Sequence, residues 1–154
     1  DEVLFMGQYY PKRNEVEIAI LDEGVGIRRS LRRNPLNAAY VCSDQDAIFR
    51  ALQRGVTGKP PKSEEEEFRG SYDVVWNAGL GLYIVSEICK QQGAFTILSG
   101  DACFNANGTR YNWWRSWFSG TAIQLRLKTN MSQQLNDHFR LLGFQGTKAK
   151  SVPL

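Results

Sequence analysis

The sequence predicts an α+β domain, on the strength of three observations. Two β-branched or aromatic runs near the start, 2–10 and 15–22, flank a polar break that begins with a proline, as in an antiparallel hairpin. Two segments with apolar residues at helical spacing follow, over 46–53 and 82–92. An alternating run over 122–128 then has the period of a half-buried strand.

Length and composition fit one globular domain. A chain of 154 residues is long enough to bury about 70% of its extended surface. The net charge of +3 is too small to argue for nucleic acid. No apolar run reaches the roughly 18 residues of a membrane span, and no signal sequence is recognisable at the start. We therefore expect a cytoplasmic protein without a membrane segment.

The cysteines and the histidine indicate neither a disulfide framework nor a zinc site. Cys42, Cys89 and Cys103 are odd in number and lack Cys-x-x-Cys spacing, and there is one histidine. We expect all three thiols to be small buried side chains. Because the chain begins at Asp1 and enters a strand almost at once, we also expect it to be a piece of a longer protein.

The second strand ends in a turn that contains a carboxylate and two glycines. The run Asp22-Glu23-Gly24-Val25-Gly26 follows the apolar strand directly, and glycines let the backbone turn tightly. Such a turn can present one acceptor to a small polar molecule. The plain alternative is an ordinary surface turn.

A cluster of arginines follows the glycines, at Arg28, Arg29, Arg32 and Arg33. No aromatic residue is interleaved with them, so a solvated helix face is favoured over a phosphate-binding or nucleic-acid-binding patch. Asn34-Pro35 is expected to close the segment.

A capped helix and a long loop come next. Ser43 can cap a helix over 46–53 that places Ile48, Phe49 and Leu52 on one face. From 55 to 78 the composition is rich in proline, glycine and glutamate, which resists packing. A loop of this length is either a functional lid or disordered, and we favour a lid.

The second glycine motif, Gly79-Leu80-Gly81-Leu82, opens a helix that ends at Gly93. Glycines at a helix entrance let backbone amides approach a phosphate. The alternative is that they allow close packing against a neighbouring element.

The remaining chain reads as strands followed by a short helix. A strand over 94–99 leads to a turn at Gly100-Asp101, and 104–118 forms an aromatic hairpin around Asn107-Gly108. Its aromatic residues lie on both faces, which predicts either aromatic side chains at a sheet edge or a partner surface. A helix over 132–142 carries His138, and 143–154 is a tail.

Taken in order, the Asp22-x-Gly-x-Gly-Ile27 turn, the lid, the Gly79-x-Gly81-Leu82 helix entrance and Gly120-Thr121 resemble the GHKL superfamily of ATP-binding domains. The resemblance covers 15–128 and is strongest to domains of the histidine-kinase type. It implies the Bergerat fold, a two-layer α/β sandwich whose mostly antiparallel sheet carries helices on one face. It also implies an ATP-binding domain over 1–130, with 131–154 as a C-terminal extension.

The resemblance also implies residue roles. Asp22 would accept the adenine amino group, Gly24 and Gly26 would let the loop pass beneath the base, and Thr121 would support the base through Asp22 or a water. The phosphates would lie at the helix entrance formed by the second motif, and Lys59 in the lid would reach a phosphate. These binding residues are Asp22, Gly24, Gly26, Ile27, Gly79, Leu80, Gly81, Leu82 and Thr121.

One family element has no counterpart in this sequence. The family's first motif, Glu-x-x-x-Asn, supplies the water-activating glutamate and the Mg²⁺ ligand, and no glutamate here has asparagine four residues later. We therefore expect the Mg²⁺ ligand upstream of this chain, and little or no ATP hydrolysis by the chain alone. An alternative is a nucleotide-sensing or structural module that binds a protein partner, or further domains, through the aromatic hairpin. Nucleic-acid binding through the arginines is a third alternative, which we favour less than the other two.

Overall fold

The computed structural model describes residues 2–60 and 79–129. Four strands and four helices are labelled in chain order within these ranges. The strands are Val3–Tyr10 (β1), Glu15–Asp22 (β2), Gly93–Asn107 (β3) and Arg110–Lys128 (β4), and the helices are Gly26–Arg32 (α1), Pro35–Ala38 (α2), Asp44–Ala51 (α3) and Gly81–Gln92 (α4).

The strands form one antiparallel sheet in the order β1-β2-β4-β3. The predicted hairpin of the first two runs is confirmed, with Val3 paired to Asp22 and Tyr10 to Glu15. On the other side of β2, Asp22 is the direct cross-strand partner of Thr121. The α+β prediction is therefore confirmed, and the sheet register alone brings two of the predicted site residues together.

The helices α1, α3 and α4 pack on β3 and β4, and the core lies between them. Phe95 and Ile97 of β3 are fully buried there, together with Ile48 of α3 and Cys89 of α4. Strand β1 is different, because it lies at the sheet edge and its apolar side chains are exposed, with Phe5 at 67%. The burial of the sheet is thus concentrated at the β3–β4 side.

Helix α3 has the predicted Ser43 cap, but it begins at Asp44 and ends at Ala51 rather than spanning 46–53, and it turns a different face inward. Ser43 Oγ accepts the Asp46 N–H at 3.0 Å, and the Asp46 carboxylate accepts the Ser43 N–H at 2.9 Å, which forms a capping box. The predicted apolar face is wrong at Phe49, which is 63% exposed, because Ile48 and the small Ala47 are the side chains that enter the core.

The predicted turn at Gly100-Asp101 is wrong, and the strand predicted over 122–128 begins earlier, at Arg110. Strands β3 and β4 run through these positions with a register irregularity near Gly100, where φ is +62°. The amide of Asn105 reaches the Thr96 hydroxyl at 2.8 Å, although nine residues of straight strand would separate them by about 30 Å. The β3–β4 hairpin therefore bends sharply, and the second half of β3 folds back toward its first half.

The cysteine prediction holds in part, since Cys89 and Cys103 are buried but Cys42 is exposed. Burial raises the pKa of the Cys89 thiol to about 11 and raises that of Cys103 as well. Residues 61–78 of the predicted lid, the domain boundary at 130, the helix over 132–142 with His138 and the tail lie outside the described residues. Within the described ranges, no helix has the length and apolarity needed to span a membrane.

Candidate functional site

A cleft of about 610 Å³ opens at the end of β2. Its walls are the glycine turn, helix α1, residues 56–58, the entrance of α4 and the adjoining part of β4. The structure brings together in this cleft all but one of the predicted binding residues, namely Asp22, Gly24, Gly26, Ile27, Gly79, Gly81, Leu82 and Thr121. Leu80 is the exception: it is the N-cap of α4, and its carbonyl accepts the Ile84 N–H at 2.9 Å.

Asp22 is the last residue of β2 and presents a half-satisfied carboxylate to the cleft. Its Oδ1 accepts the Gly24 N–H at 2.9 Å, which closes the turn. No described residue donates a hydrogen bond to the other carboxylate oxygen. Thr121 lies directly across the ladder from Asp22. The pair therefore offers a fixed acceptor with a hydroxyl beside it.

Ser99 of β3 links the end of the glycine turn to β4 through two hydrogen bonds. Its Oγ accepts the Ile27 N–H at 3.0 Å and donates to the Gly120 carbonyl at 2.7 Å. The side chain is only 2% exposed, so both bonds are shielded from water. Sequence reasoning missed this residue, because a serine within a strand carries no local signal of a partner 72 residues away.

Gly26 and Gly120 are needed beside this bridge for steric reasons. Gly26 has φ of +74°, and a Cβ there would lie 3.1 Å from Ser99 Oγ. Gly120 has φ of +114°, and a Cβ there would overlap the Asp22 carbonyl. Both positions therefore require glycine for backbone conformation and for close approach.

Two buried asparagines hold the chain at the mouth of the cleft. The Asn34 amide donates to the Thr57 carbonyl at 3.0 Å and to the Lys59 carbonyl at 2.7 Å, and the Asn37 amide donates to Thr57 at 2.9 Å. Both asparagines are 4% exposed. The sequence indicated only that Asn34-Pro35 ends a segment, and the structure shows that Asn34 also positions residues 57–59.

The two glycines of the second motif have different surroundings. Gly79 has φ of +66°, and a side chain there would overlap the backbone of Val56, so close packing explains this glycine. A Cβ at Gly81 would meet nothing within 4 Å among the described residues. Gly81 is therefore not required by packing in the described part of the chain, and it leaves open space at the start of α4.

Charge in the cleft is limited and sits on two side chains. Among the described lining residues, Asp22 and Arg33 are the charged ones. Lys59, for which the resemblance implies a phosphate contact, does not line the cleft. Its backbone N–H donates to Thr57 Oγ1 at 3.2 Å. Arg33 instead belongs to the arginine cluster that sequence reasoning favoured as a solvated face.

The described residues hold no cluster of metal-ligating side chains. In residues 2–60 and 79–129, no three side chains of His, Cys, Asp or Glu lie close enough together to hold a metal ion. Among the described lining residues of the cleft, Asp22 supplies the one carboxylate. No protein-family model and no curated protein matches the chain.

Proposed function

We propose that the chain binds an adenine nucleotide, ATP or ADP, in this cleft, as a GHKL-type ATP-binding domain of the histidine-kinase kind. The observation that carries the proposal is convergence: residues from β2, α1, α4 and β4, spread from 22 to 121 in the sequence, line one cavity. Eight of the nine binding residues that the motif resemblance implies are among them.

The Asp22 end of the cleft suits the base. One oxygen of the Asp22 carboxylate accepts the Gly24 N–H. The other oxygen has no donor among the described residues, so it can accept one N–H of an exocyclic amino group. A hydrogen bond to a charged acceptor of this kind contributes about 1.5–3 kcal/mol. The apolar lining at Ile27 and Leu82 supplies surface on which a flat ring can pack.

The α4 end suits the phosphates. The first N–H groups of a helix have no partner within the helix, and the helix dipole favours negative charge there. Space beside Gly81 lets a ligand approach these amides. Since the chain lacks the Glu-x-x-x-Asn motif, which supplies the water-activating glutamate and the Mg²⁺ ligand in that superfamily, we propose binding with little or no hydrolysis by this chain alone.

A second candidate function is a protein-interaction module that uses the aromatic hairpin. Trp117 is 79% exposed, and Tyr111 and Trp114 are about half exposed. Aromatic residues are enriched in protein interfaces. This function is compatible with nucleotide binding and would couple the cleft to further domains or to another protein.

The test is calorimetric titration of the purified chain with ATP, ADP and adenosine, with and without Mg²⁺. Asp22→Asn keeps an oxygen to accept the Gly24 N–H but replaces the outer acceptor with a donor. We expect it to weaken all three ligands about tenfold or more. Asp101→Asn is the control, because that carboxylate is exposed, pairs with Arg115 and lies outside the cleft. Equal affinity in the Asp22→Asn variant and the wild type contradicts the adenine assignment, and steady phosphate release contradicts the absence of turnover.

A further inference from the structure

We infer that Arg33 contacts the phosphate groups of the bound nucleotide, an inference that rests on the proposed function. The sequence alone favoured a solvent-facing role for all four clustered arginines. Their surroundings in the structure separate Arg33 from the others.

The cleft runs along the whole of α1. The residues of this segment that line it recur at helical spacing and share one face; they are Gly26, Ile27, Ser30, Leu31 and Arg33. A helix of this length spans about 10 Å. Asp22 therefore lies beside the start of α1, while Arg33 stands one helix length away, at its C-terminal cap. This separation places the two charges at opposite ends of the cleft, where an elongated ligand would contact both.

The glycine motif at the start of α4 lies toward the C-terminal end of α1, where Arg33 is. The residue after Arg33, Asn34, donates to the Thr57 and Lys59 carbonyls. Gly58, between them, lies against Ser30 so closely that a side chain would not fit. Two residues earlier, Val56 contacts Gly79. Arg33 and the entrance of α4 are thus joined by a short series of contacts.

Arg33 is free to bind an anion. Its guanidinium has no hydrogen bond or ion pair with any described residue, whereas the Arg28 side chain donates to the Cys42 carbonyl. Arg29 lines a smaller recess on the other side of the glycine turn, and Arg32 lines neither cavity. Arginine keeps its charge at any working pH, and its planar donors match phosphate oxygens in pairs.

Opposite charges at the two ends of the cleft suit a ligand with a hydrogen-bond donor at one end and anions at the other. An adenine nucleotide has this distribution, with its amino group on the base and its charge on the phosphates. Arg33 would therefore separate nucleotides from nucleosides, whereas Asp22 would act on both. This difference can be measured.

The experiment compares Arg33→Gln with Arg32→Gln, using ATP, ADP and adenosine as calorimetric ligands. Arg32 is the matched control because it is the adjacent exposed arginine and does not line the cleft. We expect Arg33→Gln to weaken ATP and ADP about ten- to hundredfold and to leave adenosine unchanged. Raising the salt concentration is expected to weaken ATP binding less in this variant than in the wild type. Arg32→Gln is expected to behave as the wild type.

The outcomes separate this inference from the proposed function. If Asp22→Asn weakens every ligand but Arg33→Gln binds ATP normally, the Arg33 inference is overturned and the cleft assignment stands. If Arg33→Gln weakens adenosine as strongly as ATP, its effect is structural and the inference is also overturned. If the wild-type chain binds none of the three ligands, both are overturned. Unfolding curves of the two variants are compared with the wild type, and we expect no difference because both side chains are exposed.

Discussion

Replacing Ser99 with alanine tests whether the glycine turn depends on a single buried hydroxyl. The change removes the acceptor of the Ile27 N–H and the donor to the Gly120 carbonyl. Each backbone group is left without its partner at a site that is 2% exposed. A buried unsatisfied group costs about 1–3 kcal/mol, so we expect the loss of both partners to lower the free energy of unfolding by about 2–6 kcal/mol.

The matched control is Ser86→Ala. Ser86 is also fully buried, but its hydroxyl donates at 2.8 Å to the Tyr83 carbonyl within the same helix. That carbonyl keeps its place in the helical ladder when the hydroxyl is removed. The expected loss is therefore about 1 kcal/mol or less.

Urea unfolding followed by circular dichroism measures both variants, with the slope checked for a two-state transition. Because the Ser99 bridge also holds Ile27 and the residue before Thr121, ATP affinity should fall in Ser99→Ala and not in Ser86→Ala. An unfolding free energy of Ser99→Ala equal to that of Ser86→Ala would refute the idea that this bridge secures the turn.

Two further predictions concern a glycine and the thiols. Gly120→Ala should destabilise the chain by about 2–4 kcal/mol in urea unfolding, since the new methyl overlaps a β2 carbonyl at φ of +114°. Gly108 also has a positive φ, but one of +58° in the left-handed region that other residues can adopt, and a Cβ there meets nothing within 4 Å among the described residues, so Gly108→Ala should cost about 1 kcal/mol; equal losses would contradict this. In the native chain, Cys42 should react with a maleimide while Cys89 and Cys103 stay unreacted, because both are buried. Burial also raises the pKa of Cys89 to about 11, so this thiol stays protonated even at about pH 9. Mass spectrometry counts the adducts, and rapid labelling of Cys89 would contradict its burial.

Local signals predicted the elements well. The β1–β2 hairpin, the Ser43 cap and the end of α4 at Gly93 were all readable because each depends on residues within one or two turns of chain. The turn predicted at Gly100 failed for a long-range reason. The Asp44 carboxylate accepts the Asp101 N–H at 2.9 Å, and pairing with β4 keeps the chain extended around a bulge.

The burial of individual side chains was less predictable from the sequence. Phe49 has the larger apolar surface, yet Ala47 and Ala51 face the core because β3 packs closely against α3. Cys42 is exposed although cysteine is usually buried. In both cases the neighbouring element decides the outcome, and a single segment does not reveal its neighbour.

The sequence by itself predicted most of the strands and helices, the order of the glycine motifs and Asp22 as a candidate acceptor. Only the tertiary structure placed these motifs around one cleft, showed that Ser99 and Asn34 hold its walls and that Arg33 lines it, and showed that packing explains Gly79 but not Gly81. The physical reason is the range of the interactions. Turns, caps and strand alternation are fixed by neighbours along the chain, whereas the cleft depends on contacts between residues far apart in the sequence, such as the bond from Ile27 to Ser99.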